Sequence, residues 1–155
     1  MAIERARAHL AKWNMQNRIR EFDVSSATVE LAAQALGVEG ARIAKTLSFK
    51  LESGPILIVM AGDARLDNAK YKAFFGAKAK MLAPDEVEAL IGHGVGGVCP
   101  FGVNEGVKVY LDQSLRRFDT VFPAAGTSSS AIEMTCDELE TASGGAWIDV
   151  GRLPA

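Results

Sequence analysis

The apolar positions of this chain change their period repeatedly, and each change marks an element. Ile3, Leu10 and Trp13 recur among polar neighbours, which predicts a first helix over residues 3–14. A short strand is expected over 18–22. Ser25 or Ser26 then supplies an N-cap for a helix over 28–36, which Gly37 stops. Residues 42–51 and 55–60 form two β-rich runs around Glu52-Ser53-Gly54, the pattern of a hairpin. Asp67 caps a helix over 68–75 that ends at Gly76, and 80–82 reads as a short strand. Pro84, followed by Asp85 and Glu86, opens a helix through Leu90. Strands follow over 107–111, 120–122 and 130–134. Thr135-Cys136-Asp137-Glu138 is a capping box for a helix to about Ala142, and 146–150 closes the series as a strand.

Helices and strands are interleaved, while the hairpin argues against a purely parallel sheet, so a mixed α+β fold is expected. No repeat, low-complexity tract or linker divides residues 1–155, and this length suits one domain. The composition, 48% hydrophobic and 23% charged, is that of an ordinary globular protein. No apolar run approaches the ~20 residues of a membrane helix. Glu4, Arg5 and Arg7 without an apolar core argue against a secretion signal. Cys99 and Cys136 are too few for a disulfide framework, and a reducing cytoplasm fits them best.

The net charge of −2 argues against a nucleic-acid partner until its distribution is considered. Residues 1–40 are neutral, residues 41–80 carry eight basic and three acidic side chains, and residues 81–155 carry four basic against eleven acidic. A basic segment inside an acidic protein fits local phosphate contact, with Lys70, Lys72, Lys78 and Lys80 as its candidates. A solvated lysine-rich helix face explains the same charges equally well.

Candidate chemistry concentrates in two places. Residues 92–102 hold five glycines in eleven positions, more than an ordinary connection needs. Glycine serves where the backbone turns to positive φ or a ligand comes close. Lys45 lies in the otherwise apolar-alternating run Ile43-Ala44-Lys45-Thr46-Leu47-Ser48-Phe49. By pattern alone it is an edge lysine reaching water, or a cation reaching a cavity. Cys99 has His93 nearby as the one conceivable base, but a small buried apolar role suits it better. His93 reads as a solvated loop histidine or a ligand contact. No spacing supports a metal site, and there is neither a P-loop nor a nucleophile elbow.

Ala44-Lys45-Thr46-Leu47, Gly76-Ala77-Lys78, the stretch Val95-Gly96-Gly97-Val98-Cys99-Pro100-Phe101-Gly102, Ala125-Gly126, Ile132-Glu133-Met134 and Glu138-Leu139 occur in this order. In them the chain resembles the YbaK/EbsC family, the prolyl-tRNA-synthetase-associated editing domains and their free-standing relatives that deacylate mischarged tRNA. The resemblance runs from about residue 20 to residue 150. It implies a mixed, mostly antiparallel, barrel-like sheet flanked by helices, and a trans-editing hydrolase for tRNA carrying cysteine, alanine, serine or threonine. The alternative it leaves is a non-catalytic module that binds a tRNA end or a synthetase.

The resemblance also distributes roles. Lys45 becomes the functional cation, engaging a phosphate of the terminal adenosine or charge at the ester. Gly96 and Gly97 become a backbone cradle for the aminoacyl group. Thr46, His93, Val98, Pro100, Phe101, Gly126, Thr127, Ser128 and Ser129 are the expected substrate contacts. Some cysteinyl-tRNA deacylases of the family carry an acidic residue near the position of Ala131 and a basic one near Thr127. Their absence here leaves the amino acid open. No cofactor is required, since the ester is already labile. The implied partners are the acceptor end of an aminoacyl-tRNA and prolyl-tRNA synthetase, with no membrane and no DNA.

Overall fold

A computed structural model describes residues 2–25 and 28–154. In chain order it contains α1 (Ala2–Leu10), β1 (Arg20–Glu21), α2 (Val29–Leu36), β2 (Ile43–Leu51) and β3 (Gly54–Ala61). Next come β4 (Arg65–Leu66), α3 (Asn68–Phe75), α4 (Pro84–Ile91), β5 (Lys108–Asp112) and β6 (Thr120–Pro123). The chain continues through β7 (Ser130–Ala131), β8 (Met134–Thr135), α5 (Cys136–Ser143), β9 (Ala146–Ile148) and β10 (Gly151–Arg152).

The antiparallel β2–β3 hairpin is the spine, with eight paired positions from Ala44↔Ala61 to Leu51↔Gly54. Gly54 closes its turn at φ +130°, a value that a side chain would oppose. From Ile56 to Ala61 every residue of β3 is buried. That unbroken apolar run fits a strand covered on both faces. The main sheet runs β8-β6-β2-β3-β5-β9 and curls into a half-barrel with five helices around it. β6–β8 is antiparallel, whereas β2–β6, β3–β5 and β5–β9 are parallel. Two short antiparallel pairs, β1–β7 and β4–β10, complete the strands. The mixed α+β architecture read from the sequence is the one present.

Local differences from the expected elements have identifiable causes. Thr28 caps α2, its hydroxyl accepting from the Leu31 N–H at 3.1 Å, so the cap lies three residues beyond Ser25. Ser26, the other expected cap, lies outside the described residues. The first helix keeps α geometry to Leu10 and tightens to a 3-10 turn over Ala11–Trp13, which Asn14 ends at φ +59°. Residues 80–82 make one bridge, Phe49↔Met81, rather than a strand. The strand expected over 130–134 is two: β7 pairs with β1 and β8 with β6, because the chain changes partner at Ile132 and Glu133.

The strand expected over 146–150 stops at Ile148, and here the cause is Asp112. Its carboxylate is buried at the end of β5 and accepts three backbone N–H bonds, from Ser114 (3.0 Å), Val150 (2.8 Å) and Gly151 (2.9 Å). Those bonds turn the chain out of β9 and toward β4. Replacing Asp112 with alanine strands three buried amides. Hydrogen bonds to charged groups contribute about 1.5–3 kcal/mol each, and stranding their partners costs more. Asp112→Ala is expected to lower stability by at least about 3 kcal/mol, read from the midpoint of urea unfolding.

Candidate functional site

β2 is an interior strand between β6 and β3, so Lys45 is not an edge lysine reaching water. Its half-buried ammonium donates to the Ala64 carbonyl at 2.5 Å and the Gly62 carbonyl at 3.4 Å, both in the turn that follows β3. An ammonium has three N–H bonds, so among the described residues one is left for a ligand. Burial pulls the Lys45 pKa below the ordinary 10.5. Asp63 opposes that pull, Arg65 adds to it, and Glu30 on α2 opposes it more weakly.

Lys45 borders an open cavity of about 410 Å³. β2 runs along it, and residues from both faces of the strand, Ile43 to Ser48, reach it. Val29 and Ala32 of α2 and Phe122 of β6 form one apolar wall. Leu82, Pro84 and Val87, at and within the start of α4, form another. The Thr46 hydroxyl is buried on this cavity with no hydrogen-bond partner among the described residues. A buried unpaired hydroxyl is costly, and a bound ligand is a natural source of its partner.

The glycine loop divides into an outer half on the cavity and an inner half in the core. Gly97 N–H bonds the Gly94 carbonyl at 3.0 Å with Gly96 at φ +90°, which fits a type II turn. Val95, Gly96 and Val98 line the cavity. The amides of Gly96 and Val98 donate to no backbone carbonyl among the described residues, whereas the Gly97 amide is consumed by the turn. Gly97 serves through its missing side chain. A Cβ there would meet the Gly126 carbonyl oxygen and the Thr127 Cα at 2.7 Å, so the two glycine-bearing loops pack backbone to backbone.

The inner half departs from expectation. His93, Cys99, Pro100 and Phe101 are buried and are not among the residues lining the cavity. His93 Nε2 lies 2.6 Å from the Phe101 carbonyl oxygen, and burial lowers its pKa. It is therefore neither a solvated loop histidine nor a ligand contact; desolvation favours the neutral ring packed inside the loop. Cys99 is the small buried residue expected, with its thiol pushed up to about 12 by burial, which removes it as a nucleophile.

The second loop also contributes differently. Gly126, Thr127, Ser128 and Ser129 do not line the cavity; Ala124, Ser130 and Ala131 do. Internal bonds fold the hydroxyl-rich stretch on itself: Thr127 N–H to Ser130 Oγ at 3.2 Å, and Ser129 N–H to Thr127 Oγ1 at 3.3 Å. Of the four candidate lysines, Lys70 is tethered to Asp149 at 3.0 Å and the Gly151 carbonyl at 2.9 Å, beside a separate depression. Lys72, Lys78 and Lys80 are exposed, and Lys80 adjoins the cavity residue Met81.

Sequence reasoning missed the Asp63–Arg117 ion pair beside Lys45, bidentate at 2.5 and 3.0 Å. Its members are fifty-four positions apart, and no local pattern links them. The apolar wall from α2 was expected only as a helix over 28–36, with no part in a site. Among the described residues, no group of three or more His, Cys, Asp or Glu is placed to hold a metal ion, and no helix is long and apolar enough to cross a membrane.

Comparisons with known proteins bear on the family and the fold. Residues 23–142 match the model of the aminoacyl-tRNA editing domain. A Bacillus subtilis (strain 168) protein named "Uncharacterized protein YwhH" is 53% identical over 152 residues, 97% of each chain. The Enterococcus faecalis protein named "Putative Cys-tRNA(Pro)/Cys-tRNA(Cys) deacylase EbsC" is 29% identical over 125 residues, 79% of this chain and 76% of that one. A proline–tRNA ligase of Thermosipho melanesiensis is 34% identical over 90 residues, 57% of this chain but 16% of the ligase. A crystal structure described as "a putative trans-editing enzyme for prolyl tRNA synthetase" superposes with a TM-score of 0.89 at 32% identity, covering 97% of each chain. This chain, with its lysine-bearing β2 and its two packed glycine loops, belongs to the aminoacyl-tRNA editing domain family.

Proposed function

We propose that the protein is a free-standing aminoacyl-tRNA deacylase that hydrolyses the ester of mischarged tRNA carrying a small amino acid, with tRNA(Pro) as the favoured carrier. The observation that carries this reading is the Lys45 ammonium, held by two carbonyls at the border of a largely apolar cavity with one N–H to spare. The need for such an enzyme is physical, because a synthetase pocket separates amino acids differing by one methylene by only about 1–3 kcal/mol.

In this reading Lys45 anchors a terminal phosphate or stabilises charge developing at the ester, strengthened by its partly desolvated site. The Gly96 and Val98 amides and the Thr46 hydroxyl supply donors that need no reorganisation. Cys99 is out of play, so water or the substrate's own side chain attacks the carbonyl. A cavity of about 410 Å³ lies toward the lower end of ligand sites. A terminal ribose beside the aminoacyl group then leaves space for a small side chain such as that of alanine, serine, threonine or cysteine. The similarity to a segment of proline–tRNA ligases supports proline tRNA and its synthetase as partners.

The test is a deacylation panel of Ala-, Ser-, Thr- and Cys-charged tRNA(Pro), with Pro-tRNA(Pro) as control. Lys45→Ala and Lys45→Met are expected to lose about 10²–10³-fold in turnover while circular dichroism stays unchanged. Retained turnover in folded Lys45→Ala would overturn the assignment; tight binding without hydrolysis by the wild type would leave a binding module instead. The ammonium must be protonated to act, so activity should fall on the alkaline side through a pKa below 10.5. Because that folded-state pKa is depressed, burying the charge destabilises the protein fully below it, and the penalty fades as pH rises through it. Lys45→Met is therefore expected to melt at or above the wild-type temperature at neutral pH.

Substitutions in the loops separate backbone from thiol. Gly97→Val drives a side chain into Gly126 and Thr127 and should cost at least about tenfold in activity, with Cys99→Ala much milder. Inhibition by alkylating reagents would contradict this.

Binding should depend on few phosphates, giving a log–log salt slope of about −2 to −4. Charge reversal at Lys78 and Lys80 should weaken all tRNAs alike, and reversal at Lys70, already bound to Asp149, should weaken them less. A slope near zero in filter binding would show the basic segment to be only a solvated face.

A further inference from the structure

The turn that receives Lys45 is itself held from outside the cavity. Gly62 and Ala64 supply the carbonyls, and between them Asp63 points away to Arg117, making two bonds at 2.5 and 3.0 Å. Both partners are about 30% exposed, so the pair is only partly screened by water. Arg117 is fixed in turn. Its Nε donates to the Ser114 carbonyl at 2.9 Å, and its guanidinium lies 4.8 Å from the centre of the Phe118 ring. Ser114 Oγ accepts from the Ala61 N–H at 3.1 Å, at the end of β3, and Ala64 N–H bonds the Ala61 carbonyl at 3.0 Å. The 3-10 turn Gln113–Arg117 and the turn after β3 thus form one braced unit facing Lys45.

We infer that Asp63 and Arg117 are positioning residues for Lys45: their ion pair fixes the 62–64 turn, so that the Gly62 and Ala64 carbonyls take two ammonium N–H bonds and direct the third to the substrate. The inference rests on reading Lys45 as the functional cation. A planar, bidentate Arg–carboxylate pair suits the task because it fixes orientation as well as distance. It also keeps the carboxylate near the ammonium without joining it.

The charges facing Lys45 are Asp63 from the turn, Arg65 from β4 and Glu30 from α2. Asp63 is the strongest of them and favours the protonated amine, while Arg117 holds its carboxyl below the usual range and so keeps it ionised. The Asp63 charge thus favours the protonated form of a partly buried lysine, and the turn sets where its protons point.

Side-chain NMR of lysine-labelled protein, with the Lys45 signal assigned by Lys45→Met, tests this alongside deacylation kinetics. Asp63→Asn should move the Lys45 titration midpoint to lower pH. The alkaline limb of kcat should move with it, kcat falling about tenfold and KM changing less than twofold. Arg117→Ala should speed exchange of the Lys45 ammonium hydrogens and lower kcat similarly, with Arg117→Lys restoring part of both. Thermal melts verify that each variant is folded. A Lys45 midpoint and hydrogen exchange unchanged in both Asp63→Asn and Arg117→Ala would overturn the inference, even with reduced activity or melting temperature, because the pair would then only brace the fold. If the wild type hydrolyses no aminoacyl-tRNA, the deacylase reading falls, and the NMR measurements still decide whether the pair positions Lys45.

Discussion

The β2–β3 ladder is the constraint on which the site depends. Its register sets Lys45 opposite Met60 and sends the chain, after Ala61, directly into the 62–64 turn whose carbonyls hold the ammonium. Because strand side chains alternate between faces, a slip of one residue would exchange Lys45 with Ala44 or Thr46 and push a charge into the packed core. The register is pinned by the short turn at Gly54 and by the apolar run of β3.

Around that ladder the molecule builds its cavity from parts distant in sequence. The parallel pairing of β2 with the end of β6, Ile43↔Phe122 and Ala44↔Pro123, brings Ala124 to the cavity and starts the loop that follows it. That loop meets the glycine loop where Gly97 lies against Gly126 and Thr127, a contact with no space for a Cβ. α2 closes one side by seating Ala32 on Ile43 and Phe122. The result is a largely apolar cavity whose polar lining, among the described residues, is the Lys45 ammonium, the hydroxyls of Thr28, Thr46, Ser48 and Ser130, and backbone groups of the glycine loop. Charges and dipoles act more strongly at such a half-buried site than in bulk water.

Stability and the proposed function pull against each other at Lys45. Burying a cation raises the free energy of the folded state, and the site keeps it through carbonyl dipoles and the nearby Asp63 rather than a direct ion pair. A direct salt bridge would hold the lysine more firmly but would occupy the N–H that the proposed function gives to a substrate. Elsewhere the protein uses buried charge for architecture alone. Asp112, satisfied by three amides, ties the C-terminal strands to the sheet.

Local chemistry made much of this legible in advance. Asp67 and Thr135 cap helices, Pro84 begins one, and Gly37 and Gly76 each end one, because these residues act on their immediate backbone. The hairpin and the oddity of Lys45 in an apolar run were visible for the same reason. What the sequence by itself determined was therefore the elements, the mixed class and the lysine and glycine pieces of the site. Tertiary structure decided the rest. Parallel pairings, the division of residues 130–134, the inward turn of His93 and Phe101, and the capture of Lys70 by Asp149 all depend on which distant segments meet. So does the Asp63–Arg117 brace, since a bond between residues fifty-four positions apart leaves no periodic trace along the chain.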